Sequence, residues 1–252
     1  ALARSITRRG IKVQTGRTVS EITQAGGGKR RTAPLRVTIT DPDGQHPEQV
    51  EADVVLVGVG RRPNTEGLDL ERTGVATHPD GRVVVDDQQR TGVEGIFALG
   101  DVSSAYQLKH VANHEAKVVA HNLLHPDAPR HSDHRFVPSA IFTEPQIATV
   151  GLTEAECRTG NLDYTAAVQD YGDVAYGWAM EDTSGFCKVI AECGSGRILG
   201  AHVMGAQAST VIQPLIQAMS FGLGAREMAT GQYWIHPALP EVVENALLGL
   251  DL

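Results

Sequence analysis

A histidine and a glutamate near the C-terminal end of the chain have the residue types and spacing of an acid/base pair. His236 is followed by Glu241, and Pro237 and Pro240 lie between them. A carboxylate can orient an imidazole, which then donates or accepts a proton near neutral pH. Each proline fixes its own φ angle, which favours a rigid loop. We predict a catalytic pair here. The alternative is that Glu241 only favours a helix N-terminus and His236 is solvated.

A second candidate site lies at residues 91–101, which read Thr-Gly-Val-Glu-Gly-Ile-Phe-Ala-Leu-Gly-Asp. Residues 95–99 predict a buried strand, and Gly100 and Asp101 follow it directly. At such a junction the carboxylate can accept hydrogen bonds from the sugar hydroxyls of a dinucleotide. We therefore expect Gly100 and Asp101 to bind a dinucleotide. The alternative is that Asp101 only favours the start of a helix.

Four further candidates lie at the start of a helix predicted for residues 108–124. They are Gln107, Leu108, Lys109 and His110. The first turn of a helix has backbone N–H groups without partners in the helix. We expect these groups to face the electron-rich edge of a flavin.

The N-terminal part of the chain has the pattern of strands and turns. Strands are predicted at residues 13–22 and 35–40, and an apolar run at 53–60 predicts a strand buried on both faces. A turn at 60–64 would let the backbone approach a ligand closely. The glycine-rich residues 26–31 predict a hairpin tip. A phosphate loop is disfavoured because its Gly-Lys is followed by Ser or Thr, whereas this one is followed by Arg.

A polar, proline-bearing stretch at residues 124–134 predicts a linker, and we place a domain boundary near Arg135. Beyond it, strands are predicted at residues 147–151, 164–170, 187–192 and 198–204. Helices are predicted after the capping box of Thr153 and Glu156, from Ser209 or Thr210 to about Phe221, and from Pro240 to Gly249. Pro214 conflicts with the second of these helices unless it lies in about the first turn. This half is expected to be α+β, an antiparallel sheet with helices.

Cysteines and histidines offer alternative chemistry. Three cysteines cannot form an even disulfide framework, and so few indicate a reducing compartment. Cys187 and Cys193 would lie roughly 20 Å apart along one strand. We expect buried small side chains here and not a redox pair.

Six histidines lie between His110 and His134, and His110 and His114 have helical spacing, but no third ligand recurs at zinc spacing. We therefore expect no metal site.

Composition excludes several classes of partner. The chain has 252 residues, 41% of them hydrophobic, and 27 glycines, which is typical of a globular α/β protein. A net charge of −8 argues against nucleic acid as a partner. No apolar run approaches the about 20 residues that span a bilayer, so a membrane is not expected either. We expect a cytoplasmic protein.

These motifs resemble the pyridine nucleotide-disulfide oxidoreductases over nearly the whole chain. Residues 57–64 look like the exit of the family's nicotinamide domain, 91–101 like its second flavin motif, and 141–151 like the start of its dimer-interface domain. The resemblance implies an α/β plus α+β fold, with a partial Rossmann-like region that binds FAD and NAD(P). Its implied parts are residues 1–90 (remnant of the NAD(P)-binding domain and its exit), 91–135 (C-terminal part of the FAD-binding domain) and 136–252 (dimerisation domain).

The resemblance also implies cofactors and roles. The cofactors would be FAD and NADPH, or NADH, and the substrate a small-molecule disulfide. Asp101, after Gly100, would bind the flavin ribityl chain, and residues 107–110 would contact the flavin edge through their backbone. Gly60 and Val19 would lie against the nicotinamide nucleotide.

In the implied homodimer, His236, held by Glu241, would serve the disulfide site of the partner subunit. Residues 171–185 and 231–249 resemble one member of the family most closely. Dihydrolipoamide dehydrogenase is the nearest alternative, and a non-catalytic dimerisation module is another.

The chain departs from the family pattern in three respects. Ala238 stands where the family commonly has Thr after His-Pro, and neither a Gly-x-Gly-x-x-Gly turn nor a closely spaced cysteine pair is present. The chain also begins without Met inside a predicted helix. We therefore expect it to be a C-terminal half that does not catalyse the reaction alone.

Overall fold

The computed structural model describes residues 1–24 and 34–252 of the chain. They form two compact units, Ala1–Arg61 and Arg62–Leu252. The hairpin tip predicted for residues 26–31 lies outside the described residues.

The first unit contains one helix and a three-stranded antiparallel sheet. Its elements are α1 (Leu2–Arg8), β1 (Thr18–Gln24), β2 (Leu35–Thr40) and β3 (Glu48–Ala52), with β2 in the centre. Alternation in β2 buries Val37 and Ile39 on one face. The prediction of β2 is confirmed, whereas β1 begins later than predicted. Strand β3 was missed because it carries two glutamates and a glutamine.

The apolar segment after β3 is not a buried strand. Val54, Leu56 and Val59 have exposed fractions of 81%, 93% and 89%. Among the described residues no strand pairs with this segment. A buried strand requires neighbours for its backbone N–H and C=O groups. The prediction of a strand at residues 53–60 is wrong because an apolar pattern does not show that a partner strand is present.

The second unit begins with short elements and one long helix. They are α2 (Leu70–Thr73), a 3-10 helix (Gly100–Val102) and α3 (Lys109–Leu124).

The strand predicted at residues 95–99 is wrong. This segment makes an isolated bridge between Arg90 and Phe97, and its backbone hydrogen bonds within the described part of the chain go to residues 89–93. The prediction of α3 is confirmed, and residues 125–134 contain neither helix nor strand, as expected for a linker. The domain boundary near Arg135 stays a prediction.

A five-stranded antiparallel sheet forms the centre of the second unit. Its strands are β4 (Ser139–Ile141), β5 (Gln146–Gly151), β6 (Tyr164–Asp170), β7 (Phe186–Glu192) and β8 (Ile198–Gly205), in the order β4-β5-β8-β7-β6. The four strands predicted here are confirmed, and β4 was missed. The α+β prediction for this half is confirmed.

Helices cover the sheet. They are α4 (Glu154–Thr159), α5 (Ala175–Ala179), α6 (Ala208–Val211), α7 (Gln213–Phe221), α8 (Ala225–Thr230) and α9 (Glu241–Leu248). The capping box at Thr153 and Glu156 is confirmed. The single helix predicted to end near Phe221 is two helices, and Pro214 lies in the first turn of the second, where a missing N–H is tolerated. None of the described helices is both long and apolar enough to cross a membrane.

The core of this unit fixes the start of α9. Val189 and Val203 of the sheet are buried against the helices together with Leu215, Val242 and Val243. The last two side chains are fully buried and directly follow Glu241. Their packing therefore holds Glu241 at a defined position at the N-terminus of α9.

Candidate functional site

The structure brings His236 and Glu241 into direct contact. His236 lies in the loop between α8 and α9, and Glu241 is the first residue of α9. His236 Nδ1 and Glu241 Oε1 are 2.7 Å apart. The second carboxylate oxygen accepts a hydrogen bond of 2.9 Å from the backbone N–H of Ala238. The expected contact between the two side chains is present, and their catalytic role stays a prediction.

The carboxylate of Glu241 is largely buried while the imidazole is open to solvent. Their side chains are 16% and 69% exposed. Burial acts to raise the pKa of Glu241, but the hydrogen bonds from His236 and Ala238 outweigh it and lower that pKa below its ordinary value. Glu241 is therefore a carboxylate at neutral pH.

This geometry assigns different tasks to the two ring nitrogens of His236. A carboxylate has no proton to donate, so Nδ1–H is the donor to Glu241. In the neutral ring the lone pair is then on Nε2. Because the ring is exposed, Nε2 can accept a proton from a group outside the chain and return it later. The arrangement can act as a general acid and base.

The loop that carries His236 is anchored on both sides. Trp234 Nε1 donates a hydrogen bond of 3.0 Å to the carbonyl oxygen of Ala229 at the end of α8. Leu239 is 5% exposed and packs in the core. Tyr233 and Ile235, which flank Trp234, are strongly exposed. The histidine thus lies on a fixed loop with apolar side chains at the surface beside it.

Gly100 and Asp101 begin the 3-10 helix, and their turn needs a glycine. Gly100 has φ +72°, and an added Cβ would lie 3.1 Å from the Cβ of Ala112 in α3. The Gly100 carbonyl oxygen accepts the backbone N–H groups of Ser103 and Ser104. Asp101 follows at the surface. The turn therefore packs closely against α3 and is followed by an exposed carboxylate.

Residues Gln107 to His110 lie at the start of α3, as predicted. Gln107 and Leu108 are half-buried, and Lys109 and His110 are exposed. His110 Nε2 donates a hydrogen bond of 2.8 Å to the carbonyl oxygen of Pro138. The last three of these residues line a cavity of 510 Å³ with Ala140, Phe142, Ile212 and Ile216 among its other walls. The helix start is therefore accessible to a ligand that is partly apolar.

Sequence reasoning missed Glu115, which connects α3 to the Gly100 turn. Glu115 Oε2 accepts the Gly100 N–H at 2.6 Å, and Oε1 lies 3.0 Å from His134 Nε2. The sequence does contain a signal for this residue, because Glu115 is a charged side chain on the otherwise apolar stripe of Val111 and Val118. His134 was counted only among possible metal ligands.

Val19 and Gly60 lie in the first unit. Val19 is in β1 and is 51% exposed. Gly60 has φ +107°, a conformation that side chains disfavour, and no atom lies within 4 Å of an added Cβ. Both are accessible, and the nucleotide contact predicted for them stays a prediction.

The cysteines lack the properties of a redox pair. None of the three forms a disulfide; Cys157 is buried, and Cys187 is buried as expected. Burial raises the pKa of the Cys187 thiol to about 12, which disfavours the reactive thiolate. Cys193 is only partly buried, so the prediction of a buried side chain is wrong there.

Within residues 1–24 and 34–252, no group of three or more His, Cys, Asp and Glu side chains is placed to hold a metal ion.

Two family models match this chain. Residues 137–247 match the dimerisation domain of the pyridine nucleotide-disulphide oxidoreductases. Residues 1–116 match the model described as pyridine nucleotide-disulphide oxidoreductase. The fold class expected from the sequence motifs agrees with both matches.

Similar proteins with curated functions include two kinds of enzyme. Mycothione reductase of Mycobacterium tuberculosis is 66% identical over 205 residues, which is 80% of this chain and 44% of that protein. Dihydrolipoyl dehydrogenase of Mycobacterium leprae is 33% identical over 99% of this chain and 51% of its own length. The chain spans about half the length of these relatives.

Solved structures with the same fold include two proteins. LpdA from Mycobacterium tuberculosis superposes with a TM-score of 0.84 at 26% identity, over 98% of this chain and 51% of its own. The HOCl-induced flavoprotein disulfide reductase RclA from Escherichia coli has a TM-score of 0.84 at 23% identity, over 98% of this chain and 54% of its own. The second likeness shows the fold alone.

Proposed function

Because this chain belongs to the pyridine nucleotide-disulphide oxidoreductase family, we propose that it forms the C-terminal half of an FAD-dependent reductase that reduces mycothiol disulfide (mycothione) with NADPH, or NADH. The observation that carries the proposal is the hydrogen-bonded pair of His236 and Glu241 on an anchored loop. The high identity to a mycothione reductase supports the choice of substrate.

His236 supplies the proton chemistry of this reaction. Reduction of a disulfide breaks one S–S bond and consumes two electrons and two protons to give two thiols. When bound, FAD relays the electrons of the pyridine nucleotide to the disulfides. Each departing thiolate needs a proton, which Nε2 of His236 can donate. The imidazole is then protonated again by an incoming thiol or by water. Glu241 holds the ring so that Nε2 faces outward.

The residues of the second unit fit a flavin dinucleotide. The Gly100 turn packs against α3 and positions Asp101, which binds the ribityl chain. The start of α3 contributes the backbone N–H groups of residues 107–110 to the flavin edge, and the adjacent 510 Å³ cavity has apolar walls. The phosphates require a Gly-x-Gly-x-x-Gly turn, which this sequence does not contain. Val19 and Gly60 lie against the nicotinamide nucleotide.

The chain pairs with a second copy through residues 136–252, and each active site takes its histidine from the partner subunit. Residues 1–90 belong to the NAD(P)-binding domain and 91–135 to the FAD-binding domain. Support for the dimer comes from the family match at residues 137–247 and from the exposed Tyr233 and Ile235 beside His236. Three free cysteines suit a reducing cytoplasm.

Dihydrolipoamide dehydrogenase is the alternative within the family, because relatives of that activity match 99% of this chain. A non-catalytic dimerisation module is an alternative of another class, because the sequence has no closely spaced cysteine pair.

The test is to assay the flavoprotein that contains this chain with each disulfide in turn and with NADPH and NADH. We expect rapid reduction of mycothiol disulfide and slow turnover of lipoamide. Turnover of lipoamide without turnover of mycothiol disulfide would favour the dehydrogenase, and no turnover of either would favour the dimerisation module.

A further inference from the structure

Glu115 is a buried acid whose two oxygens are both occupied. The residue is 1% exposed and lies on the apolar stripe of α3 with Val111 and Val118. A buried carboxylate is costly unless hydrogen bonds satisfy it. Here one oxygen accepts the Gly100 N–H at 2.6 Å and the other contacts His134 at 3.0 Å. The carboxylate therefore links three separate parts of the second unit.

The backbone contact of Glu115 fixes one side of the turn that precedes Asp101. On the other side, the Gly100 carbonyl oxygen accepts the N–H groups of Ser103 at 3.0 Å and Ser104 at 2.7 Å. Gly100 also packs against α3, because an added Cβ would lie 3.1 Å from the Cβ of Ala112. With both its amide and its carbonyl group held, Gly100 presents Asp101 in one orientation.

His134 closes the arrangement from the linker side. Its side chain is 32% exposed, and its ring lies 5.6 Å from that of Tyr106 and 6.5 Å from that of His114, between centroids. The neighbouring Asp133 is paired with Arg135, so it does not compete for the imidazole. Glu115 is the acceptor that His134 Nε2 faces.

We propose that Glu115, supported by His134, is a positioning residue for the flavin dinucleotide: it holds the Gly100 turn so that Asp101 meets the ribityl hydroxyls. The proposal rests on the proposed function, because it assumes that Asp101 binds FAD. Glu115 acts through Gly100 and does not itself touch the ligand. A charged hydrogen bond to a buried amide contributes enough to change the affinity by about tenfold or more.

The experiment measures FAD affinity in the reductase that contains this chain, after the flavin has been removed and titrated back. Glu115→Leu removes the acceptor, Glu115→Gln keeps a neutral one, and Lys117→Gln changes an exposed residue of the same helix. We expect about tenfold or greater weakening for Glu115→Leu, a smaller loss for Glu115→Gln and no change for Lys117→Gln. This partial rescue by the conservative variant indicates a specific acceptor role.

Asp101→Ala separates the two hypotheses. Unchanged FAD affinity in Asp101→Ala would overturn the proposed role of Asp101 itself. Weakened affinity in Asp101→Ala with unchanged affinity in a folded Glu115→Leu variant would overturn only the positioning role. If Glu115→Leu does not fold, amide hydrogen exchange decides. We expect the Gly100 N–H to exchange at least about threefold faster in Glu115→Gln than in the wild type, and an equal rate would overturn the proposal.

Discussion

Glu241 orients the ring of His236 through Nδ1. One oxygen is engaged by the Ala238 N–H, so the carboxylate cannot rotate away without losing that bond. The departure at Ala238 from the family's usual Thr leaves this backbone contact intact, because the donor is a main-chain group.

The lowered pKa of Glu241 predicts how stability depends on pH. A carboxyl group whose pKa is lower in the folded state stabilises the fold above its ordinary pKa of 4.5, and this contribution is lost as the pH falls through the lowered value. We expect Glu241→Gln to be less stable than the wild type at pH 7, with the difference shrinking below pH 4.5. Urea unfolding of the chain at several pH values measures this.

The control for this prediction is Glu227→Gln, which alters an exposed glutamate of α8. It should change the free energy of unfolding by less than about 0.5 kcal/mol at pH 7. A wild-type advantage over Glu241→Gln that stays constant down to pH 3 would contradict the account.

At the scale of elements, prediction from sequence succeeded where a segment carries its own determinants. Strand β6 and helix α9 follow from alternation and from Pro240 and Gly249, and the capping box follows from Thr153 and Glu156. The strand predictions were wrong at residues 54–59 and 95–99. An apolar segment forms a strand only where partner strands pair with it, and its own sequence does not show whether they do.

The contacts of the candidate site show the same difference between local and long-range determinants. The contact of His236 with Glu241 spans only five positions, so it could be predicted from spacing. The contacts of Glu115 with Gly100 and His134 span 15 and 19 positions. They depend on how α3 packs, which no local pattern encodes.

Gly177 in α5 should not tolerate a side chain. An added Cβ would lie 2.0 Å from the carbonyl oxygen of Tyr171, a fully buried residue. Alanine favours a helix over glycine by about 1 kcal/mol, but the clash is larger. We expect Gly177→Ala to lower the free energy of unfolding by at least about 2 kcal/mol.

Gly92→Ala is the matched control, because no atom lies within 4 Å of its added Cβ. Denaturant unfolding of both variants compares them directly. Equal stabilities would show that the backbone around Tyr171 adjusts freely, contrary to the packing described above.

The exposed apolar segment at residues 54–59 should make this chain associate with itself. Leu56 and Val59 are 93% and 89% exposed, and contiguous apolar surface of this kind favours aggregation. We expect the double variant Leu56→Ser and Val59→Ser to stay monodisperse at higher concentration than the wild type, by light scattering. Gly58→Ser adds a hydroxyl without removing apolar surface and should behave like the wild type; association unchanged in the double variant would rule out this segment as the cause.

At the scale of the whole molecule, the proposed chemistry is distributed over more than one element and more than one subunit. The second unit contains the proposed acid/base on its loop and the proposed part of a flavin site at the Gly100 turn and α3. No closely spaced cysteine pair occurs in the sequence. In the proposed function a redox disulfide therefore reaches His236 from outside this chain, as in a homodimer of a longer reductase.

The most direct test of the account is the rate of mycothiol disulfide reduction by the His236→Ala variant of the flavoprotein that contains this chain. Loss of a general acid typically lowers a rate by a factor of about 100 to 10,000. We predict a fall of at least about a hundredfold, with the rate of flavin reduction by NADPH unchanged. A disulfide-reduction rate within about threefold of the wild type would contradict the assignment of His236 as the acid/base.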